Sequence, residues 1–130
     1  MMTRGKGLAV TKDVEDSRLR YEEIVELGRL HIHSERDGDV HAIELRGEFD
    51  LAYARDVEHE LKRVEATDAR SIILDLSGLT FLDSTGIRLI LEAQVRSQQD
   101  ANRLVLLRAP RMVQRVFTIA GVDKMLPFAD

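Results

Sequence analysis

Two short runs, Ser71 to Leu76 and Arg103 to Arg108, are largely apolar and too short for buried helices. Runs of that length and makeup suit strands covered on both faces. Each is followed by apolar residues at helical spacing: Ile87, Ile90, Leu91 and Val95 after the first, and Val113, Val116, Phe117 and Ala120 after the second. A further helical pattern, Tyr53, Val57, Leu61 and Val64, lies ahead of Ser71. Strands alternating with helices imply parallel pairing with right-handed crossovers.

Ahead of this unit, Leu30 to Arg36 and Asp39 to Arg46 flank Asp37-Gly38, a signal for a two-residue hairpin turn. That turn sets Ile32 opposite Ile43 and Leu30 opposite Leu45. One hairpin face is then apolar, while His31, His33, Ala42 and Glu44 take the other and His41 points away from them. The order β-β-α-β-α-β-α follows: a single α/β domain with a mixed, mostly parallel sheet of four to five strands and packed helices. At 130 residues the chain suits one core rather than two.

Residues 1–28 read as a partly flexible N-terminal extension, with glycines and mixed charges up to Ser17. Tyr21 to Leu27 is expected to form a short helix through Tyr21, Ile24, Val25 and Leu27. The domain proper spans residues 29–130. Its last segment, Met125 to Phe128, is expected to pack back onto the body.

Helix signals refine the picture. Asp50 is placed to cap a helix from Leu51 to about Glu65. Ser77 to Leu82 reads as a loop, after which Asp83 or Ser84 caps a helix to about Gln99. Pro110 sits at a favoured first helical position and Gly121 closes that helix. Met112, Val113, Val116 and Phe117 form a stripe read as core. Phe81 and Leu82 divide evenly between burial under the helix and a place on a partner surface.

Several functions lack support. The net charge of -4, with no Lys/Arg run, argues against a phosphate backbone as partner. The absence of cysteine removes disulfides, thiolate metal sites and Cys nucleophiles, and fits a reducing compartment. No apolar run approaches the roughly 20 residues that cross a bilayer, and Met1 to Lys12 lacks a secretory apolar segment. A cytoplasmic protein is expected. His31 and His33, with Glu44, read as solvated surface rather than a metal site. No phosphate-cradling glycine loop is present, and no cofactor is expected.

The informative stretch is Asp75-Leu-Ser-Gly-Leu-Thr-Phe-Leu-Asp-Ser-Thr-Gly-Ile-Arg-Leu-Ile90. It delivers Asp83, Ser84, Thr85 and Gly86 to a helix N-terminus, where free amides and the helix dipole favour negative charge. On local chemistry alone, Asp, Ser and Thr there are ordinary caps. A phosphate on Ser84 would instead add about -1.5 to -2 charge to a surface already carrying Asp83, without unfolding the domain. A nucleophile elbow is excluded by Leu82, which stands where Gly-x-Ser-x-Gly needs glycine, so a small serine hydrolase is the weakest reading. An aspartic-protease loop fails because Thr85 intervenes before Gly86.

Three landmarks in order carry a family resemblance: Gly47-Glu48-Phe49-Asp50, Leu82-Asp83-Ser84-Thr85-Gly86-Ile87, and Val116-Phe117-Thr118-Ile119-Ala120-Gly121-Val122. From about Leu30 to Phe128 the chain resembles the STAS domains, and within them the bacterial anti-sigma-factor antagonists. The resemblance implies a non-enzymatic binding module with Ser84 as phosphoacceptor. It implies an anti-sigma factor with serine-kinase activity as partner and a PP2C-type phosphatase that reverses the modification. Unphosphorylated protein would bind the anti-sigma factor and so release a sigma factor. Asp50 matches the family's acidic residue near the acceptor, with a role in partner contact or shaping of the site, shared with Asp83, Thr85 and Gly86. Members commonly carry a second glycine shortly after the one matched by Gly86, whereas this chain has Arg88 nearby. Alternatives on the same fold are a subunit of a sensory assembly or the regulatory partner of a transporter. The sequence carries no signal of oligomeric state.

Overall fold

The computed structural model describes the backbone of residues 7–11 and 20–26, and the chain over residues 28–100 and 103–129. Strands β1 (Gly7–Thr11), β2 (Arg20–Glu26), β3 (Leu30–Asp37) and β4 (Val40–Phe49) form an antiparallel meander. A 3₁₀ turn (Leu51–Tyr53) leads into α1 (Ala54–Glu65), then β5 (Ser71–Leu82), α2 (Ser84–Gln99), β6 (Arg103–Leu107) and α3 (Arg111–Ile119). The sheet runs in sequence order from β1 to β6, with β4, β5 and β6 parallel. The mixed α/β fold expected from the alternation is present.

Two strands, β1 and β2, enlarge the sheet beyond the four to five expected. The short helix expected over Tyr21 to Leu27 is instead β2 along Arg20–Glu26, paired with β3. A single isolated helical turn or two is marginal in water, whereas β3 offers a row of backbone groups that Tyr21, Ile24 and Val25 suit as strand formers. Residue 27 lies outside the described residues.

The β3–β4 hairpin differs from expectation by two residues. Asp37 pairs with Val40, so the loop is Gly38-Asp39, and Ile32 faces Leu45 while Leu30 faces Gly47. Gly38 adopts φ +63°, and the Asp39 carbonyl accepts from the Arg70 and Ser71 amides, which fixes Asp39 in the loop. A slip of two preserves the side-chain period, so Leu30, Ile32, Ile43 and Leu45 still share the buried face. His41 lies on that face as well.

β5 continues to Leu82, through the residues from Ser77 onward that the sequence pattern reads as a loop. One extra β5 residue between Asp75 and Gly78 and another between Leu79 and Phe81 shift the register, setting Glu48 beside Phe81 and Phe49 beside Leu82. Leu79 and Leu82 are thereby buried, as expected of one of the two readings, while Phe81 is exposed.

Helix α1 buries Val57, Leu61 and Val64 as its spacing requires, but starts at Ala54 after the 3₁₀ turn. In α2, Ile87 and Ile90 are buried with Leu89 and Ala93, and Val95 points outward. Pro110 caps α3 from outside the helix at ψ 156°, and Arg111 is the first helical residue. Val113 and Phe117 enter the core. Met112 does not: it is 81% exposed, because it sits a quarter-turn away from the face that Val113 and Phe117 bury. The C-terminal segment packs back through Leu126 and through Phe128, which meets Phe117 edge-to-face at 5.2 Å and bridges to Leu106. Met125 stays exposed.

Candidate functional site

Parallel strands β4 and β5 end side by side, so the chain after Phe49 and the chain after Leu82 leave the sheet together. This brings Asp50 and Asp83 to one edge, each at the start of a helical segment. Of the two residues that could have capped α2, Asp83 does so. Its Oδ1 accepts from the Thr85 amide at 3.0 Å and the Gly86 amide at 3.1 Å, and its Oδ2 accepts from the Leu51 amide at 3.1 Å. One carboxylate thus satisfies free amides of two helical starts, as the charge-poor N-termini of both require.

Ser84 is the first residue of α2 and is exposed. The hydrogen bonds that hold this turn end on Asp83, leaving the Ser84 side chain outside the cap. Thr85 is half-buried and Gly86 is buried. A β-carbon on Gly86 would stand 2.4 Å from Cδ1 of Leu82 and 3.2 Å from the Phe49 ring, so glycine is what lets α2 sit this close to the ends of β4 and β5.

Asp50 caps the 3₁₀ turn by accepting from the Ala52 amide at 2.9 Å, and its other oxygen accepts from Nη2 of Arg29 at 3.2 Å. Arg29 also lies 3.4 Å from Glu48 and stacks 5.8 Å over the Tyr53 ring, while its amide donates to the Tyr53 hydroxyl at 3.2 Å. Tyr53 first, then Asp50 and Glu48, hold the Arg29 guanidinium pKa above its usual value. Sequence reasoning missed Arg29 and Tyr53. They meet Asp50 through the fold, and no spacing in the chain announces it.

A family model described as "Mlab, STAS domain" matches residues 32–127. The chain belongs to the STAS domain family. Among its relatives, the putative anti-sigma factor antagonist BtrV of Bordetella bronchiseptica is 31% identical over 86 residues, covering 66% of this chain and 74% of that one. An anti-sigma factor antagonist of Mycobacterium paratuberculosis shares the fold with TM-score 0.67 at 24% identity, over 76% of this chain and 84% of that one. The Bacillus cell fate determinant SpoIIAA shares it too. Its unphosphorylated form gives TM-score 0.60 at 23% identity (84% and 88% covered), and its phosphorylated form 0.55 at 22% (84% and 91% covered). By sequence and fold this STAS domain falls among the anti-sigma-factor antagonists.

A groove of about 450 Å³ runs between the first turns of α1 and α2 of this STAS domain, lined by Leu51 and Arg55 on one side and Thr85 and Arg88 on the other. Leu51, 70% exposed, begins the 3₁₀ turn whose amide Asp83 holds, and Phe81, 47% exposed, lies near the end of β5. The histidines lie elsewhere: His33 sits 3.6 Å from Glu44 on the open face of the hairpin, and His31 is exposed. Among the described residues no group of three or more His, Cys, Asp or Glu is arranged to hold a metal ion.

Proposed function

We propose that this domain is an anti-sigma-factor antagonist switched by phosphorylation of Ser84, acting by binding and not by catalysis. The observation that carries the reading is the division of labour at the start of α2: Asp83 does the capping, and the neighbouring hydroxyl is exposed. A phosphate there needs no cap to be broken, and the helix dipole favours it.

In this reading an anti-sigma factor with serine-kinase activity docks on the edge formed by Asp50, Asp83, Ser84, Thr85 and Gly86. The Ser84 oxygen attacks the terminal phosphorus of ATP, its proton passes to a base of the kinase, and ADP leaves. The added charge of about -1.5 to -2 beside Asp83 then disfavours redocking. A PP2C-type phosphatase restores the hydroxyl. The unphosphorylated domain sequesters the anti-sigma factor and frees a sigma factor. A cytoplasmic setting, where ATP is available, follows from the reading. No helix among the described residues is long and apolar enough to cross a membrane.

Incubation with the cognate kinase and ATP, followed by peptide mass spectrometry, tests the assignment. One phosphate confined to Ser84 and absent from Ser84→Ala is expected, together with anti-sigma-factor binding that is weakened by Ser84→Asp. Labelling at another residue, or equal affinity of wild type and Ser84→Asp, overturns it.

A further inference from the structure

Arg88 stands one helical turn beyond Ser84, on an exposed face of α2, and its Nη1 donates to Oε2 of Glu92 at 3.2 Å, one turn further on. Residues four apart on a helix face have β-carbons about 5–6 Å apart, so a guanidinium at position 88 reaches either neighbour. In the present state the guanidinium pairs at the Glu92 end. The pair is 62% and 43% exposed at its two side chains, which makes it weak and readily exchanged.

We propose that Arg88 is the internal counter-ion of phosphorylated Ser84, leaving Glu92 for the phosphate when Ser84 is modified. This rests on the reading of Ser84 as phosphoacceptor and adds what the modification does to the neighbouring surface. Three considerations favour the exchange. A phosphate offers up to twice the charge of a carboxylate and three acceptor oxygens for the guanidinium fork. Its place at the helix start adds the pull of the first-turn amides, which Glu92, further along α2, does not have. Arg88 is also 62% exposed where it stands, so leaving Glu92 strands no buried charge.

The consequence reaches beyond one residue. Arg88 lines the groove between α1 and α2 together with Arg55, Asp56 and Glu58. Drawing Arg88 toward the start of α2 neutralises it against the phosphate at the edge of that groove and uncovers the Glu92 carboxylate. A partner docked there meets a changed pattern of charge over two helical turns, with the backbone in place.

The experiment uses the full chain with phosphoserine installed at position 84 during translation, so that no kinase is needed. The phosphorus NMR shift of the phosphate is followed against pH at low salt in wild type, Arg88→Ala and Glu92→Gln, with circular dichroism confirming the fold of each. Pairing with Arg88 favours the dianion. The phosphate pKa is therefore expected about half a unit higher in Arg88→Ala than in wild type, and lower in Glu92→Gln, where the competitor is gone. Coincident titrations of wild type and Arg88→Ala overturn the proposal. A kinase that leaves Ser84 unmodified would overturn the proposed function while leaving this measurement standing, so the two failures are separable.

Discussion

The amide of Leu51 donates to Oδ2 of Asp83 at 3.1 Å, joining the turn that precedes α1 to the cap of α2. Because Oδ1 of the same carboxylate holds the Thr85 and Gly86 amides, Asp83 fixes the two helix starts that flank Ser84 relative to each other. The acid before the serine is therefore structural as well as electrostatic: it determines where the hydroxyl stands.

Removing that carboxylate should cost more than an ordinary cap. A single N-cap to alanine costs about 0.5–2 kcal/mol, and Asp83→Ala also leaves the Leu51 amide without its acceptor, so a loss near or above the top of that range, about 2–3 kcal/mol, is expected. Asp83→Asn keeps the Oδ1 acceptor but offers an NH₂ group to the Leu51 amide, and should fall between. Urea unfolding of the three proteins checks the order. Equal midpoints for Asp83→Ala and wild type would remove Asp83 from its bridging role.

Gly86→Ala tests how closely α2 is seated. The new methyl meets Leu82 at 2.4 Å and Phe49 at 3.2 Å, and overpacking of this kind costs about 1–3 kcal/mol. The expected signature is coupling: Gly86→Ala should cost less in a Leu82→Ala background, since the obstructing Cδ1 is gone. Strictly additive losses in the double-mutant cycle would show that the crowding lies elsewhere.

Two glycines with positive φ separate backbone strain from steric clash. Gly38, φ +63°, has nothing within 4 Å of an added β-carbon, so Gly38→Ala should cost about 1–2 kcal/mol from conformation alone. Gly47, φ +103°, would put its β-carbon 2.1 Å from the Arg29 carbonyl oxygen, which itself accepts from the Glu48 amide. Backbone cannot swing aside as a side chain can. Gly47→Ala should lose clearly more than Gly38→Ala by chemical denaturation, and similar losses would refute the close approach.

What the sequence made legible depended on the range of the forces involved. The order of elements and the faces of β3 and β4 follow from periodicity, which a two-residue slip in the hairpin leaves intact. The cap at Asp83 is local chemistry and could be read from its neighbours. The strand at Arg20–Glu26 could not, because its pairing is decided by an open edge of β3 rather than by its own pattern. Residues 77–82 hid their pairing because β5 carries two extra residues relative to β4, which break its own two-residue alternation. Val95 and Met112 are apolar residues on outward faces, which composition cannot distinguish from core. The brace of Arg29 on Asp50 and Tyr53 joins residues more than twenty positions apart and has no counterpart in spacing.

His41 sets how the domain responds to acid. It is only 2% exposed, and neither ring nitrogen has a hydrogen-bond partner among the described residues. Burial first, then the positive charge of Arg63, push its pKa down from 6.5 to about 4; Glu60 pulls the other way, and Arg36 adds the smallest lowering. The ring is neutral in the folded domain at pH 7. As pH falls from about 6.5 toward 4, the unfolded chain takes up a proton that the folded chain refuses, so this residue lowers stability across that window. Full uptake of one proton corresponds to a slope of about 1.4 kcal/mol per pH unit, and below about 4 the slope fades because both states are protonated. His41→Leu removes the titrating group and two unpaired polar atoms while keeping an apolar side chain of similar bulk. The variant should match or exceed wild-type stability at pH 5 and show a flatter decline between pH 7 and pH 5. Urea midpoints for both proteins across that range decide it: parallel declines would mean that His41 is charged, or solvated, in the folded state.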